Sequence, residues 1–270
     1  MSIETILMLI GTGLFAGLTG GLFGIGGGVV VVPALYAVFL SMGIADDVTI
    51  KLALGTSVAT IIVTSWRSVR GHAKHGDVEW PVLWSWGPFI GIGALLGAAI
   101  ARYAHADGLT AFFGAGLLAM GIQRVISASR PRPQGVHGEL PGIWTQRGLA
   151  TGTGVVSSLL GIGGGVIGVL LLTRAGRGVH RAVGTASGFG FAIAVPGAIG
   201  YALAGIGHDV PPGAVGYVHI PAFLAVAVGA AVAAPIGARL AARFSPSLLT
   251  GVFGAYVIIS GTLMLFETIR

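Results

Sequence analysis

The chain has 270 residues, of which 54% are hydrophobic and only 9% charged, with a mean hydropathy of +0.91 and a formal net charge of +6. Soluble domains carry about 25% charged residues, so this chain lacks the polar surface of a water-soluble globule. It has no cysteine, which excludes disulfides, thiolate metal sites and thiol redox chemistry.

Apolar segments fall in chain order at about 3–23, 29–41, 51–66, 80–102, 108–126, 146–160, 166–173, 182–206, 217–238 and 246–266. The first has no basic region before it and reads as a first helix rather than a cleavable signal. Val82 to Ala101 and Leu248 to Phe266 contain no Asp, Glu, Lys or Arg, as membrane-spanning helices require. The 48 glycines suit lipid-embedded helices, whose backbones pack closely through small residues. Segments 29–41 and 166–173 would rise about 20 Å and about 12 Å as helices, short of the roughly 30 Å hydrocarbon core. Each is expected to pair with its predecessor, either as a re-entrant hairpin or as two crossings.

With that pairing, all but Lys51, Arg102 and Arg270 of the 15 basic residues fall in loops on one side. Cytoplasmic loops collect Lys and Arg, so that side is expected to be cytoplasmic and both termini periplasmic. Counting 3–41 and 146–173 as single crossings erases the bias.

Leu22-Phe-Gly-Ile-Gly-Gly-Gly-Val29 recurs as Leu159-Leu-Gly-Ile-Gly-Gly-Gly-Val166. Fainter echoes follow in order: Leu54-Gly55-Thr56 with Val183-Gly184-Thr185, Gly93-Ala94 with Gly229-Ala230, and Phe113-Gly114-Ala115 with Phe253-Gly254-Ala255. The expected fold is an all-α integral membrane protein of two inverted repeats, each a Gly-interrupted helix pair plus three transmembrane helices. Residues 1–128 form the first repeat, 129–144 a cytoplasmic linker and 145–270 the second repeat. Inverted repeats and broken helices are transporter features.

The duplicated glycine clusters cannot hold regular helix, since each glycine costs roughly 1 kcal/mol relative to alanine. Irregular backbone at membrane depth must line a cavity or lie within protein. The helices expected to restart at Val29 and Val166 would each turn free N–H groups and a positive dipole end toward the break, an arrangement that attracts anions. Candidate substrate-binding residues are Gly24, Gly26, Gly27 and Gly28 in the first turn and Gly161, Gly163, Gly164 and Gly165 in the second. Thr56, Ser57, Thr185 and Ser187 are candidate hydroxyl ligands, with Thr60 nearby. Tight helix crossing for the glycines, and back-bonding to helix carbonyls for the hydroxyls, are the structural alternatives. Gly24-x-Gly26 has no preceding strand and no following acid, so dinucleotide binding is set aside.

All nine acidic residues fall at helix ends or in loops, so no carboxylate relay of the proton-pump kind is visible. The seven histidines also fall in or beside loops, where solvated roles are expected, and His72-x-x-His75 lacks further ligands for a metal. No catalytic residue, metal or cofactor is assigned, and no nucleic acid partner. The partners are a small anion and the lipid bilayer, and the sequence permits a homodimer through a glycine-rich face.

The two Gly-x-Gly-Gly-Gly elements, Pro33 after the first, the Gly-Thr pairs at Gly55 and Gly184, and the twofold organisation resemble the TauE/SafE family of sulfite and organosulfonate exporters over essentially the whole chain. Leu170 stands where a second-repeat match to Pro33 would be. The resemblance implies a bacterial inner-membrane transporter, not an enzyme, that exports a small sulfur-containing oxyanion such as sulfite or sulfoacetate by alternating access. Uptake of the same anions and a non-transporting membrane scaffold remain the alternatives.

Overall fold

The computed structural model describes residues 3–23, 27–128, 142–241, 243–244 and 246–268. Among the described residues ten helices run in the order α1 (Ile3–Phe23), α2 (Gly28–Ser41), α3 (Asp46–Lys74), α4 (Trp80–Tyr103), α5 (Ala106–Ala128), α6 (Ile143–Leu159), α7 (Gly165–Arg174), α8 (Val179–Ala204), α9 (Ile220–Ala241) and α10 (Pro246–Glu267). A two-residue hairpin, β1 (Ala214–Val215) with β2 (Val218–His219), precedes α9. The protein is an all-α integral membrane protein, and among the described residues five helices are long and apolar enough to cross a bilayer. The linker expected at 129–144 lies almost wholly outside the described residues.

Helix α3 departs most from its apolar segment, running 29 residues where the hydrophobic stretch covers about half as many. The added turns carry Asp46 and Asp47 at one end and Arg67, Arg70 and Lys74 at the other. Acids in a first turn and bases in a last turn favour the helix dipole, so these charges extend the helix that hydropathy truncates. The window of α3 is also the most enclosed, 83% buried against 33% for α1. It is the central rod, with α2 on one flank and α8 running antiparallel on another.

Around this centre the helices pair through glycine. In α1, a Cβ on Gly13 or Gly17 would lie 2.6 or 2.5 Å from the Val226 or Ala230 carbonyl oxygen of α9. Likewise, Gly93 and Gly97 of α4 meet Thr151, Gly154, Val155 and Ser158 of α6. Both of these pairs run parallel, whereas α5 and α10 cross antiparallel at Gly114 and Gly261. Large side chains such as Trp84, Leu96 and Ile100 point outward from α4, while Gly93, Ala94, Gly97 and Ala98 point in. Lipid is as apolar as leucine, so backbone proximity rather than leucine burial holds such helices together. Helices α2 and α7 have 14 and 10 residues. They rise about 21 and about 15 Å, too short to cross a hydrocarbon core of roughly 30 Å.

Candidate functional site

Gly27 and Gly164, 137 positions apart in sequence, occupy the same structural place. Each is the N-cap of a short helix, at φ 70° for α2 and φ 64° for α7. A left-handed residue turns the chain sharply into a helix, and only glycine adopts it without the Cβ clash. The helices therefore begin at Gly28 and Gly165, one residue earlier than Val29 and Val166. Gly27 O accepts from the Val30 and Val31 N–H groups at 2.9 and 3.0 Å, and Gly164 O accepts from the Gly168 N–H at 2.8 Å. Having no side chain, neither cap covers the first amides of its helix.

The two turns abut. A Cβ on Gly28 would lie 2.5 Å from the Gly161 carbonyl oxygen, which also accepts a 2.9 Å hydrogen bond from Ser57 Oγ. Gly161 itself is left-handed at φ 56° and packs against Val32 of α2 and Leu54 of α3. Ile61 lies between the turns, its Cδ1 3.3 Å from the Cβ position on Gly28 and its Cγ2 3.2 Å from that on Gly163. Gly24 and Gly26 lie outside the described residues.

Two cavities open on these helix starts. The larger, of about 390 Å³, is lined at one end by Gly27, Gly28, Ser57 and Thr60 and reaches Arg67 and His72 near the end of α3. The smaller, of about 60 Å³, is lined by Gly163, Gly165, Ser187 and Gly190 among others. Ile61, Thr64, Ser68 and Val183 line both, and neither is lined by an acidic residue among the described residues. One basic-mouthed space thus touches the first glycine turn and a much smaller one touches the second.

The expected hydroxyls divide. Ser57 lines the larger cavity and Ser187 the smaller, and each donates its proton to a backbone carbonyl, Ser57 to Gly161 and Ser187 to Gly184 at 2.6 Å. Thr60 likewise donates to Thr56 O at 2.9 Å. Thr56 and Thr185 are fully buried, line neither cavity, and serve as matched clamps. Thr56 Oγ1 accepts from the His219 N–H at 3.0 Å just before α9, and Thr185 Oγ1 accepts from the Glu79 N–H at 2.9 Å just before α4. The neighbouring glycines admit these crossings, because a Cβ on Gly55 would strike the Tyr217 carbonyl and one on Gly184 the Asp77 carbonyl.

Away from the cavity mouth, side chains tie the far end of α3 to α4 and α8. Lys51 Nζ donates to Arg102 O at 3.2 Å, and Arg102 caps the end of α8 through the Leu203 and Ala204 carbonyls at 3.2 and 3.0 Å. His219, expected to be solvated, is fully buried here instead, because its backbone and ring both bond inward. Its Nδ1 accepts from the Ala222 N–H at 3.2 Å, and its ring lies edge-on to Phe39 at 5.5 Å.

Sequence reasoning missed Thr64, Arg67, Ser68 and His72 as cavity lining. Their signal was present, since Ser57, Thr60, Thr64, Ser68 and His72 recur at three- and four-residue steps and so share one face of α3.

A sequence model of the family described as "Sulfite exporter TauE/SafE" matches residues 9–264. The chain is 28% identical over 255 residues to a "Probable membrane transporter protein" of Haemophilus influenzae, covering 94% of this chain and 96% of that one. It is 30% identical over 265 residues to a probable membrane transporter protein of Methanocaldococcus jannaschii, covering 96% and 94%. A relative in Xylella fastidiosa carrying the same description is 28% identical over 263 residues. No solved structure matches the chain.

Proposed function

The chain belongs to the sulfite exporter TauE/SafE family of membrane transporters, and from that premise we propose that its cargo is a small sulfur-containing oxyanion carried past the two broken helices. The observation that carries the proposal is that two duplicated glycine turns, each ending in a left-handed cap, abut beside a cavity with basic residues at its mouth. Helix starts supply backbone N–H groups and a positive dipole end, and Arg67 adds a full charge along the approach. Such a site suits sulfite or a short organosulfonate, whose oxygens accept several N–H bonds at once.

Alternating access about a pseudo-twofold axis agrees with the packing. Helices α3 and α8, which share the Gly-Thr pair, run antiparallel, and α1 packs on α9 as α6 packs on α4. That exchange of partners is what inverted repeats produce. By the distribution of basic residues, the mouth at Arg67 and His72 is cytoplasmic and the opposite end at Lys51 and Arg102 periplasmic, so the larger cavity loads from inside. Export is then aided by the membrane potential, by about 2.3 kcal/mol per charge per 100 mV.

The test is flux from proteoliposomes loaded with sulfite, sulfoacetate or sulfate under an imposed potential, negative inside. Saturable sulfite or sulfoacetate efflux driven by the potential alone is expected. Absence of flux for every oxyanion in the panel overturns the cargo, and a strict need for a proton or sodium gradient overturns the potential-driven export.

A further inference from the structure

Ser157 lies in the last turns of α6, just before the second glycine turn. It is fully buried, and its Oγ has no hydrogen-bond partner among the described residues. That hydroxyl lies 3.5 Å from the Cβ position on Gly164, so it faces the N-cap of α7. A serine in a membrane helix ordinarily returns its proton to a carbonyl one turn back, as Thr153 does here to Leu149 O at 2.7 Å. Ser157 does not.

Four other hydroxyls that line the cavities are committed. Ser57, Thr60, Thr64 and Ser187 each donate to a backbone carbonyl and offer a ligand only lone pairs, which repel an anion. The repeat supplies an independent pointer. At the 137-residue offset that relates Gly27 to Gly164, Ser157 corresponds to Gly20, and Gly20 lines the larger cavity beside the first helix start. The position therefore faces the cavity in the first half, and in the second half it carries a free donor. Ser157 itself lines neither cavity; the small one, about 60 Å³, reaches Gly163 and Gly165 on either side of the Gly164 cap that Ser157 faces, and has room for roughly four to six waters at 10–15 Å³ each. A group of four or five heavy atoms, such as a sulfite or sulfate headgroup, is of that size.

We propose that Ser157 is a substrate-binding residue whose hydroxyl donates to an oxyanion held at the N-terminus of α7, making the second half-site the tighter and more selective of the two. The inference rests on the oxyanion reading of the site and adds a residue to it. Ser158, its neighbour, is an internal control. Its Oγ is equally buried and unpartnered but lies against the Cβ positions on Gly97 and Gly197 at 3.2 and 3.7 Å, on the faces that pack α4 and α8.

The experiment measures sulfite and sulfate binding to the purified protein by anion-dependent thermal stabilisation, together with the concentration dependence of sulfite flux in liposomes. The variants are Ser157→Ala, Ser157→Cys and Ser158→Ala. Loss of one hydrogen bond to a charged group is expected to raise the half-saturating concentration about tenfold or more in both Ser157 variants, with the anion-free melting temperature nearly unchanged. Ser158→Ala should keep wild-type affinity. Wild-type affinity in either folded Ser157 variant overturns the role of Ser157 while leaving the oxyanion reading standing. An equal loss in Ser158→Ala assigns both serines to packing and overturns it too. Failure of the wild-type protein itself to bind or carry any oxyanion removes the reading and the inference together.

Discussion

The two glycine turns share their backbone and differ in nearly everything attached to it. Gly27 and Gly164 adopt the same left-handed cap and start helices at equivalent residues, yet the first opens on about 390 Å³ and the second on about 60 Å³. Ser157 stands opposite Gly20, and Leu170 opposite Pro33. What the duplication has kept is the geometry that exposes helix amides; what has diverged is the side chains that shape access to them. The main chain is thus matched in the two halves while the space around it is not.

The sharpest way to break the comparison is at the caps. Alanine in a left-handed conformation costs roughly 1–2 kcal/mol. Gly164→Ala adds a collision with Ile193 Cδ1, whereas among the described residues Gly27→Ala meets the Ala16 carbonyl at 3.2 Å. Both variants are expected to lose flux by tenfold or more, and Gly164→Ala to melt several degrees lower than Gly27→Ala. Equal melting temperatures would mean the second turn relaxes freely despite its tighter surroundings.

The Gly-Thr clamps come next. Thr56→Val and Thr185→Val keep the side-chain shape and remove the acceptor for a backbone N–H. An unsatisfied buried donor costs about 1–3 kcal/mol. His219 is fully buried and Glu79 only half-buried, so water can replace the lost acceptor at Glu79 more readily. Thermal unfolding in detergent should therefore show the larger loss for Thr56→Val, and the reverse order would mean that the half-buried clamp carries more of the stability than its exposure implies.

A smaller change separates the two cavities. Ile61→Val deletes the Cδ1 that faces Gly28 and keeps the Cγ2 that faces Gly163. Ile→Val in a packed interior costs about 0.5–1.5 kcal/mol. Flux of a bulkier organosulfonate relative to sulfite is expected to rise by severalfold. An unchanged ratio would show that Ile61 does not partition the space.

Much of this was legible in the sequence, and the limits are physical. Helix positions followed from apolar runs, and the second helix break from Gly161 to Gly165, because glycine clusters in lipid-embedded segments leave few alternatives. The extent of α3 was hidden because Asp46 and Lys74 lie outside the hydrophobic stretch. Thr56 and Thr185 stood out as a duplicated pair, but sequence could not tell a hydroxyl facing a cavity from one facing the backbone of a crossing loop. That distinction depends on Tyr217 and Asp77, each far away in sequence from the glycine it covers. Ser157 gave no signal of its own, since a lone serine near a glycine turn is ordinary until its neighbours' protons are accounted for.

The smallest effect concerns the residues that follow each clamp. Glu79 pairs with Arg177 at 3.2 Å where both are partly exposed, a contact worth at most about 1 kcal/mol and weakened by salt. His219, in the corresponding place, is enclosed with the Phe39 ring against it, and burial lowers its pKa below the usual 6.5, opposed in part by the Pro212 backbone. The unfolded chain therefore takes up a proton at higher pH than the folded one, and the neutral imidazole stabilises the fold fully above about 6.5. That contribution falls away as pH drops through the lowered folded value. His219→Asn keeps an N-cap acceptor for Ala222 and removes the titration. Its melting temperature should fall less than that of the wild type between pH 7.5 and 5, while Glu79→Gln should leave the wild-type pH slope in place and abolish part of the salt dependence. Identical slopes for wild type and His219→Asn would mean that the buried ring is protonated without cost, and the asymmetry between the two clamps would then be one of shape alone.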